Sequence, residues 1–320
     1  SRTVLRDGNE VSWSDFMQFC RDLGNDGAGR ELAVLMPPSS SPTVRAMAGR
    51  LGGRFGSVRV IESAPEGDDP SRLGMQQAFG RPLRPQYDFE QADTVLSLDA
   101  DFLDGISPDF LGNNRSFFSR RRLDSVDDEM NRLYVIESQY STTGGAADHR
   151  LRMKASTIGA FAATIAAELG VGSAPDYDWS EKEALFAREI ARDLQEAGSR
   201  GVVVAGETQP PEIHALAMAI NDRLGSLGSA VTLLDTGDDA ATPQDEALQQ
   251  LVSDMKAGRV DTVLMAGVNP VYDAPASLDF AGALQSVDAS IHLGLHRDET
   301  AQVSRWHVPQ THYLEAWGDG

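Results

Sequence analysis

Short apolar runs alternate with amphipathic helical patterns along almost the whole chain of 320 residues. Clear apolar runs are residues 32–36, 94–98 and 262–266, each bounded by residues that favour turns or helix starts. Strands that are apolar on both faces and separated by helices are typical of parallel sheets covered on both sides. The sequence therefore predicts an α/β fold of two doubly wound, three-layer (αβα) Rossmann-like domains with mainly parallel sheets.

A segment rich in Gly, Ser, Pro and Asp, residues 170–178, interrupts this alternation and has the composition of an exposed connection. The chain length also fits two domains of about 150 residues each. We therefore expect a first α/β domain over residues 1–172 and a second over residues 173–320. Ser180, with Glu183 three residues later, predicts a capping box at the first helix after the boundary.

The chain is strongly acidic, with 48 Asp and Glu against 28 Lys and Arg and a formal net charge of -20. Such a surface repels phosphate backbones, and no basic stripe offsets it, so nucleic acid is excluded as a partner. The basic run at residues 120–122 lies among acidic residues, which predicts a solvated or internally paired loop. No apolar run approaches the roughly 20 residues that a membrane helix needs.

Cys20 is the only cysteine, so the chain can form no internal disulfide and cannot ligate an iron–sulfur cluster, which needs about four thiolates. Its spacing from Phe16, Met17 and Leu23 places it on the apolar face of a predicted helix. We expect a thiol in the core rather than a nucleophile.

Four histidines, His292, His296, His307 and His312, fall near acidic residues and could suggest a metal site. Their spacing does not place them on one helix face, so we predict no metal site and interpret them as scattered surface or interdomain histidines. Asp99 and Asp101 follow a strand and could bind a cation; helix capping is favoured. No nicotinamide glycine loop or nucleophile elbow is present, and no catalytic residue is predicted.

In doubly wound sheets, ligands bind at the carboxyl ends of the strands, so the loops that follow strands are the informative segments. Three such loops are distinctive. Residues 137–148 read Glu-Ser-Gln-Tyr-Ser-Thr-Thr-Gly-Gly-Ala-Ala-Asp, residues 267–270 read Gly-Val-Asn-Pro, and residues 298–301 read Asp-Glu-Thr-Ala, followed by Val308, Pro309, Glu315 and Gly318.

Together these loops resemble the molybdopterin oxidoreductase (dimethyl sulfoxide reductase) superfamily. Its corresponding stretches read valine-aspartate-proline-arginine with threonines and alanine-aspartate, then glycine-x-asparagine-proline, then glutamate-threonine-alanine with leucine-proline and glutamate-x-x-glycine. Residues 134–148, 269–280 and 312–319 are most similar to the molybdopterin-like B subunit of alternative complex III. That resemblance implies a fragment of a subunit on the periplasmic side of the membrane, in an exported quinol-oxidising electron-transfer complex. It also implies other subunits as partners and iron–sulfur clusters on another part of the same parent chain.

In molybdenum-binding members of the superfamily these loops hold the pyranopterin guanine dinucleotides, because backbone N–H groups and small residues at strand ends can approach phosphates. The resemblance assigns this role to Ser141, Thr142, Thr143, Asn269, Pro270, Asp298, Glu299 and Thr300. The superfamily's proline and arginine are replaced here by Ser138 and Gln139, which removes a rigid turn and a cationic contact. The replacement argues against bound molybdopterin guanine dinucleotide, and the resemblance then implies a cleft that is vestigial or used for contacts with neighbouring subunits.

Three functions are compatible with these features. The first is a cofactor-less scaffold in a quinol-linked electron-transfer complex, not catalytic alone. An alternative is the set of molybdopterin guanine dinucleotide-binding domains of an active molybdenum oxidoreductase. A third is a free-standing module of periplasmic type that closes on a small molecule.

Overall fold

A computed structural model describes residues 2–39, 41–64, 69–105, 109–235 and 243–319, except for the side chains of residues 45 and 69. In chain order its strands are β1 (Val4–Arg6), β2 (Asn9–Val11), β3 (Glu31–Met36), β4 (Ser57–Glu62), β5 (Leu83–Tyr87), β6 (Thr94–Leu98), β7 (Arg132–Glu137), β8 (His149–Arg152), β9 (Gly201–Ala205), β10 (Val231–Asp235), β11 (Thr262–Ala266), β12 (Ala289–Gly294) and β13 (Trp306–Pro309). Its α-helices are α1 (Trp13–Asn25), α2 (Pro42–Leu51), α3 (Asp69–Phe79), α4 (Phe110–Ser119), α5 (Thr142–Gly145), α6 (Ala155–Glu168), α7 (Glu181–Ala197), α8 (Pro211–Leu224), α9 (Gln244–Lys256), α10 (Pro270–Asp273), α11 (Phe280–Leu284) and α12 (Glu299–Val303).

The chain divides into two compact units. Unit 1 comprises Ser1–Gly67 and Thr242–Gly320, and unit 2 comprises Asp68–Ala241. This division differs from the expected contiguous domains, 1–172 and 173–320, because strand pairing joins segments from both halves: β3 lies beside β11, and β6 lies beside β9. The Gly- and Pro-rich segment at 170–178 connects α6 to α7 within unit 2.

Unit 1 contains a seven-stranded sheet in the order β2-β1-β13-β12-β11-β3-β4. The five strands from β13 to β4 are parallel, and β1 and β2 are added at one edge as antiparallel strands. Successive residues of β11 belong to different core clusters, since Val263 and Met265 pack with one cluster and Leu264 packs with the other. Side chains that alternate between two cores show that the sheet is covered on both faces.

Unit 2 contains a parallel sheet in the order β8-β7-β6-β9 and a separate antiparallel pair, β5 and β10. The chain runs from β6 through β7 to β8 and then places β9 on the opposite side of β6. The strand order therefore reverses between β6 and β9, and in unit 1 it reverses in the same way between β3 and β11. Such switch points are where doubly wound sheets bind ligands. The predicted α/β fold with mainly parallel sheets is confirmed.

Helix α1 differs from its predicted role, because Cys20 is half-buried and no residue of the helix is fully buried. Phe16 and Phe19 pack against Trp306, with ring centroids 5.3 and 4.8 Å from it, whereas Trp13 is 52% exposed. The helix therefore contacts the sheet through a narrow apolar face that contains Phe16 and Phe19. The Cys20 thiol lies beside this face rather than in the core. Partial burial still raises the pKa of Cys20.

Several local predictions are confirmed, and one helix is corrected. Ser180 and Glu183 form the expected capping box at the start of α7. Arg120 and Arg121 are paired with acidic residues of unit 2, as expected for the basic run. The sequence pattern also predicts helices over residues 108–119 and 276–284. The first begins at Phe110 in the described residues, and Pro108 lies outside them. The second is interrupted at Asp279, whose φ of 52° places it between a 3-10 turn and α11. None of the helices in the described ranges has the length and apolar character needed to cross a membrane.

The division into units predicts which segment folds alone. A polypeptide of residues 68–241 retains the whole of the β8-β7-β6-β9 sheet and its core. We therefore expect it to unfold cooperatively on heating, as monitored by circular dichroism. A polypeptide of residues 1–172 lacks β9, β11 and β12, which leaves apolar strand edges without partners, and we expect it to aggregate or unfold without cooperativity. Cooperative folding of 1–172 but not of 68–241 would contradict the division.

Candidate functional site

The predicted residues of unit 2 lie at the start of α5, immediately after β7. The backbone N–H groups of Thr142 and Thr143 donate to the carboxylate of Asp101, with N–O distances of 3.2 and 2.8 Å. The Thr143 hydroxyl donates to the same carboxylate at 2.7 Å, and the Ser141 hydroxyl accepts from the N–H of Gly144 at 2.8 Å. The N–H groups that could meet an anion are thus already bonded to a carboxylate of the protein. Asp101 thus bonds the first turn of α5, whose N-cap residue is Ser141, and it does not cap the helix that follows its own strand, α4.

Glu137, the last residue of β7, anchors this loop from below. Its side chain is 3% exposed and accepts hydrogen bonds from Arg150 and from the Ser141 hydroxyl. Gly144 packs directly over it, since a Cβ atom at Gly144 would lie 2.0 Å from a Glu137 carboxylate oxygen. The loop therefore depends on a buried, charge-compensated carboxylate and on a glycine that leaves room for it.

Asp99 connects two further loops at the same end of the sheet. It has a left-handed backbone, with φ of 58°, and its carboxylate accepts from the Ser138 N–H at 3.0 Å and from the Gln209 amide at 3.2 Å. A Cβ atom at Gly206 would lie 2.0 Å from the Asp99 carbonyl oxygen, so only glycine allows this close approach. The prediction that Asp99 caps a helix was wrong. Ser138 supplies an N–H that a proline at the same position would lack.

A groove in unit 2 that sequence reasoning missed lies at the carboxyl ends of β7 and β8. Its volume is about 430 Å³, and it is lined by Ser138, Arg152, Met153, Lys154, Thr157, Tyr177, Trp179 and Glu183. Tyr177 and Trp179 stack with ring centroids 4.0 Å apart, and the Trp179 indole N–H donates to Thr164 at 2.9 Å. Glu183 is occupied by the capping box of α7.

The charge of this groove is positive. Arg152 and Lys154 form no ion pair with any acidic residue in the described part of the chain, although acidic residues are in large excess. Both precede α6, whose first residue follows Lys154 without a side-chain cap. Two unpaired cations beside a flat aromatic pair can hold an anionic group attached to a ring. The signal in the sequence was a pair of basic residues at the end of a strand just before a helix.

The predicted residues of unit 1 form one hydrogen-bonded cluster that joins α10 to α12. The Asn269 side-chain oxygen accepts from the Thr300 N–H at 3.1 Å and from its hydroxyl at 2.6 Å. The Thr300 hydroxyl in turn accepts from the Val271 N–H at 3.1 Å, and the Asn269 amide nitrogen donates to Glu299 at 2.8 Å. This last bond holds the pKa of the Glu299 carboxyl below its usual value.

The remaining two predicted residues of unit 1 belong to the same pair of short helices. Asp298 caps α12 by accepting from the Ala301 N–H at 2.9 Å, and Pro270 is buried as the first residue of α10. Within each unit the structure therefore brings the predicted residues together. In both units these side chains bind other parts of the protein.

Two of the four histidines are not scattered, which corrects the sequence-based expectation. His292 on β12 and His307 on β13 are each 1% exposed and stack with ring centroids 5.2 Å apart. Their Nδ1 atoms are 3.0 Å apart, and the His292 Nε2 atom lies 3.6 Å from the Asp298 carboxylate. They meet because parallel pairing of β12 with β13 places them opposite each other. His296 and His312 are exposed.

The buried pair has the properties of two neutral imidazoles. Burial lowers the pKa of His292, although Asp298 opposes the effect, and burial together with His292 lowers the pKa of His307. The His307 Nε2 atom has no hydrogen-bond partner among the described residues. In the same residues no group of three or more His, Cys, Asp or Glu is placed to hold a metal ion.

Replacing Asn269 tests whether the cluster of unit 1 is structural. Asn269→Ala removes the acceptor of two hydrogen bonds and leaves the buried Thr300 hydroxyl without its hydrogen-bond acceptor. We therefore expect the free energy of unfolding to fall by about 1–3 kcal/mol. The control Glu299→Gln keeps an acceptor at an exposed position and should change it by less than about 0.5 kcal/mol. Urea unfolding measures both. Equal effects in the two variants would contradict the assignment.

The buried histidine pair predicts a loss of stability in mild acid. The unfolded-state imidazoles titrate near pH 6.5, and the folded ones have lowered pKa values, so the unfolded state binds more protons as the pH falls below about 6.5. The free energy of unfolding should therefore decrease between pH 7 and pH 5, by at most about 1.4 kcal/mol per pH unit for each histidine. Urea unfolding at several pH values should give a shallower slope for His307→Gln than for the control His296→Gln. The same slope in both variants would rule the pair out as its source; His214, whose pKa burial also lowers, is retained in both.

No protein-family model matches the sequence, and no curated protein matches it. Solved structures do share its fold. Acetylene hydratase from Pelobacter acetylenicus superposes with a TM-score of 0.59 at 12% identity, over 98% of this chain and 54% of that chain. A chain of the formyltransferase/hydrolase complex from Methylorubrum extorquens, in complex with methylofuran, superposes with a TM-score of 0.54 at 14% identity, over 96% of this chain and 86% of that chain.

These similarities extend over nearly the whole chain. At 12% and 14% identity they show a common fold alone. The chain spans about half the length of acetylene hydratase.

Proposed function

We propose that this chain is the cofactor-less scaffold part of a molybdopterin oxidoreductase-like subunit, in a membrane-associated quinol-oxidising electron-transfer complex. The observation that carries the proposal is the carboxylate of Asp101, which accepts the N–H groups of Thr142 and Thr143 at the start of α5. The sequence resemblance assigns these residues to a pyranopterin nucleotide. A carboxylate in that place satisfies the donors and repels a phosphate.

The contacts of the predicted residues in unit 1 also support a chain without the cofactor. Asn269 and Thr300, also assigned by the resemblance, satisfy each other. A nucleotide could bind to either loop only by breaking several internal hydrogen bonds, and each such exchange gains little net free energy. These residues therefore do not fit molybdopterin guanine dinucleotide, and we assign them no step of a reaction.

A role within an assembly is supported by one of the structural neighbours. The chain of the formyltransferase/hydrolase complex covers 96% of this chain, and this chain covers 86% of it. A polypeptide of this fold and similar length thus serves elsewhere as one chain of a complex. A net charge of -20 also favours association with basic partners over self-association.

The groove of unit 2 favours a second candidate, the molybdopterin guanine dinucleotide-binding domains of an active molybdenum oxidoreductase. Arg152 at the end of β8 and Lys154 at the start of α6 form no ion pair with the acidic residues that the structure describes, and both line the groove with the stacked rings of Tyr177 and Trp179. A guanine nucleotide supplies both a flat ring and phosphates, which this arrangement can hold. Thr142 and Thr143, whose N–H groups donate to Asp101, do not line this groove.

The metal and pterin content of the full-length protein distinguishes the two candidate functions. We expect the protein purified from its native membrane to contain iron, with molybdenum and pterin far below one equivalent, as measured by plasma mass spectrometry and released-pterin fluorescence. One equivalent of molybdenum and pterin would overturn the scaffold proposal.

Calorimetric titration of this chain with guanosine diphosphate adds a direct test. We expect no saturable binding at millimolar nucleotide. Binding that Arg152→Ala with Lys154→Ala abolishes, and that the control Arg188→Ala on the exposed face of α7 retains, would favour the second candidate. Equal binding by both variants would place the nucleotide outside the groove.

A further inference from the structure

Exposed apolar side chains are concentrated in one stretch of unit 2, residues 118–130. Phe118 at the end of α4 is 46% exposed, and in the loop that follows Leu123 is 49%, Val126 101% and Met130 47% exposed. Single exposed apolar residues are common on protein surfaces, whereas several in one short stretch mark an interaction site. We call these four residues the 118–130 surface.

The loop is held in a defined conformation. The Asp128 carboxylate accepts from the N–H groups of Asp124 and Ser125, both at 2.8 Å. At the base of the loop, Arg121 donates to Asn131 and pairs with Asp148, and its guanidinium lies 4.6 Å from the centre of the Phe117 ring. A loop that is already ordered loses little conformational entropy when it binds a partner. Val126, at the tip, is therefore exposed to solvent on an ordered loop.

The charge around Val126 determines what can cover it. Within residues 118–130, Arg120 and Arg121 are paired with carboxylates outside the stretch. This leaves Arg122 against four exposed acidic residues, Asp124, Asp127, Asp128 and Glu129. An anionic lipid surface would be repelled by this loop. A second copy of the chain, which also carries a net charge of -20, would bring like charges together in a two-fold interface. A basic protein surface complements the charge and can bury the apolar tip.

We infer that the 118–130 surface is the docking site of a basic partner protein, which receives Val126 in an apolar pocket surrounded by Lys and Arg. The inference rests on the proposed membership in an assembly and names the surface that would join this chain to it. It does not depend on whether the groove beside Arg152 binds a nucleotide.

Site-specific photo-cross-linking in the native host tests the inference. A photoreactive phenylalanine derivative replaces Val126 in the full-length protein, and the matched control replaces Leu185, which is 51% exposed on α7 of the same unit. We expect position 126 to cross-link to one protein through a segment rich in Lys and Arg, and position 185 not to do so. Because exposed charges are screened by salt, the yield should fall between about 0.05 and 0.5 M NaCl. It should also fall in the double variant Asp127→Lys with Glu129→Lys, which leaves the loop-forming Asp128 in place.

The contribution of the apolar tip is measured separately. Val126→Ser should weaken binding to the cross-linked partner about tenfold or more, as expected for losing one buried aliphatic side chain. Leu185→Ser should leave the affinity unchanged, and circular dichroism checks that both variants are folded.

Other outcomes would overturn the inference. Cross-links from position 126 to lipid, to a second copy of the chain, or equally from positions 126 and 185 would each do so. No cross-link from an assembly that still purifies intact would overturn the docking surface while leaving the proposed function standing. A protein that purifies without any other subunit would refute the proposed function, and the docking surface with it.

Discussion

Pairing of β3 with β11 is the interaction on which unit 1 depends, because it closes a parallel sheet from two segments at opposite ends of the chain. The N–H of Glu31 donates to the Asp261 carboxylate at 2.8 Å across 230 residues of sequence. Bringing such distant segments together costs loop-closure entropy, which grows slowly with length and is offset by the apolar residues of both strands. Unit 2, Asp68–Ala241, is inserted between these two segments of unit 1.

Carboxylates of the protein occupy the strand ends at which an α/β sheet of this kind usually binds ligands. In unit 2, Asp99 and Asp101 after β6 and Glu137 at the end of β7 accept hydrogen bonds from the neighbouring loops. In unit 1, Asp298 after β12 accepts from the Ala301 N–H of its own helix, α12, as its N-cap. Loops stabilised in this way no longer need a bound anion to satisfy their donors. The N–H groups of Thr142, Thr143 and Thr300 are thus bonded internally, whereas Arg152 and Lys154 in the groove form no ion pair with a described acidic residue.

Much of the site could be located from the sequence, although not the contacts its residues make. The loops containing Thr142, Asn269 and Thr300 were found from their positions after apolar strands, and the structure brings each set together within its unit. Their partners could not be found this way. Asp101 is 42 residues from Thr143, and the stacking of His292 on His307 follows from the register between two strands. The groove was missed because Lys154 and Trp179 approach each other only when α6 and α7 pack.

The sequence by itself determined the α/β class, the strands β3, β6 and β11, and the capping box at Ser180, because these follow from short-range periodicity and local hydrogen bonding. Tertiary structure alone decided which segments form each unit. A Pro- and Gly-rich segment such as 170–178 marks an exposed connection, but composition cannot show whether the strands on either side, β6 and β9, pair again beyond it. It also decided that Cys20 is half-buried and that two histidines meet in a core. Burial and pairing depend on what packs against a residue, and its neighbours in sequence do not contain that information.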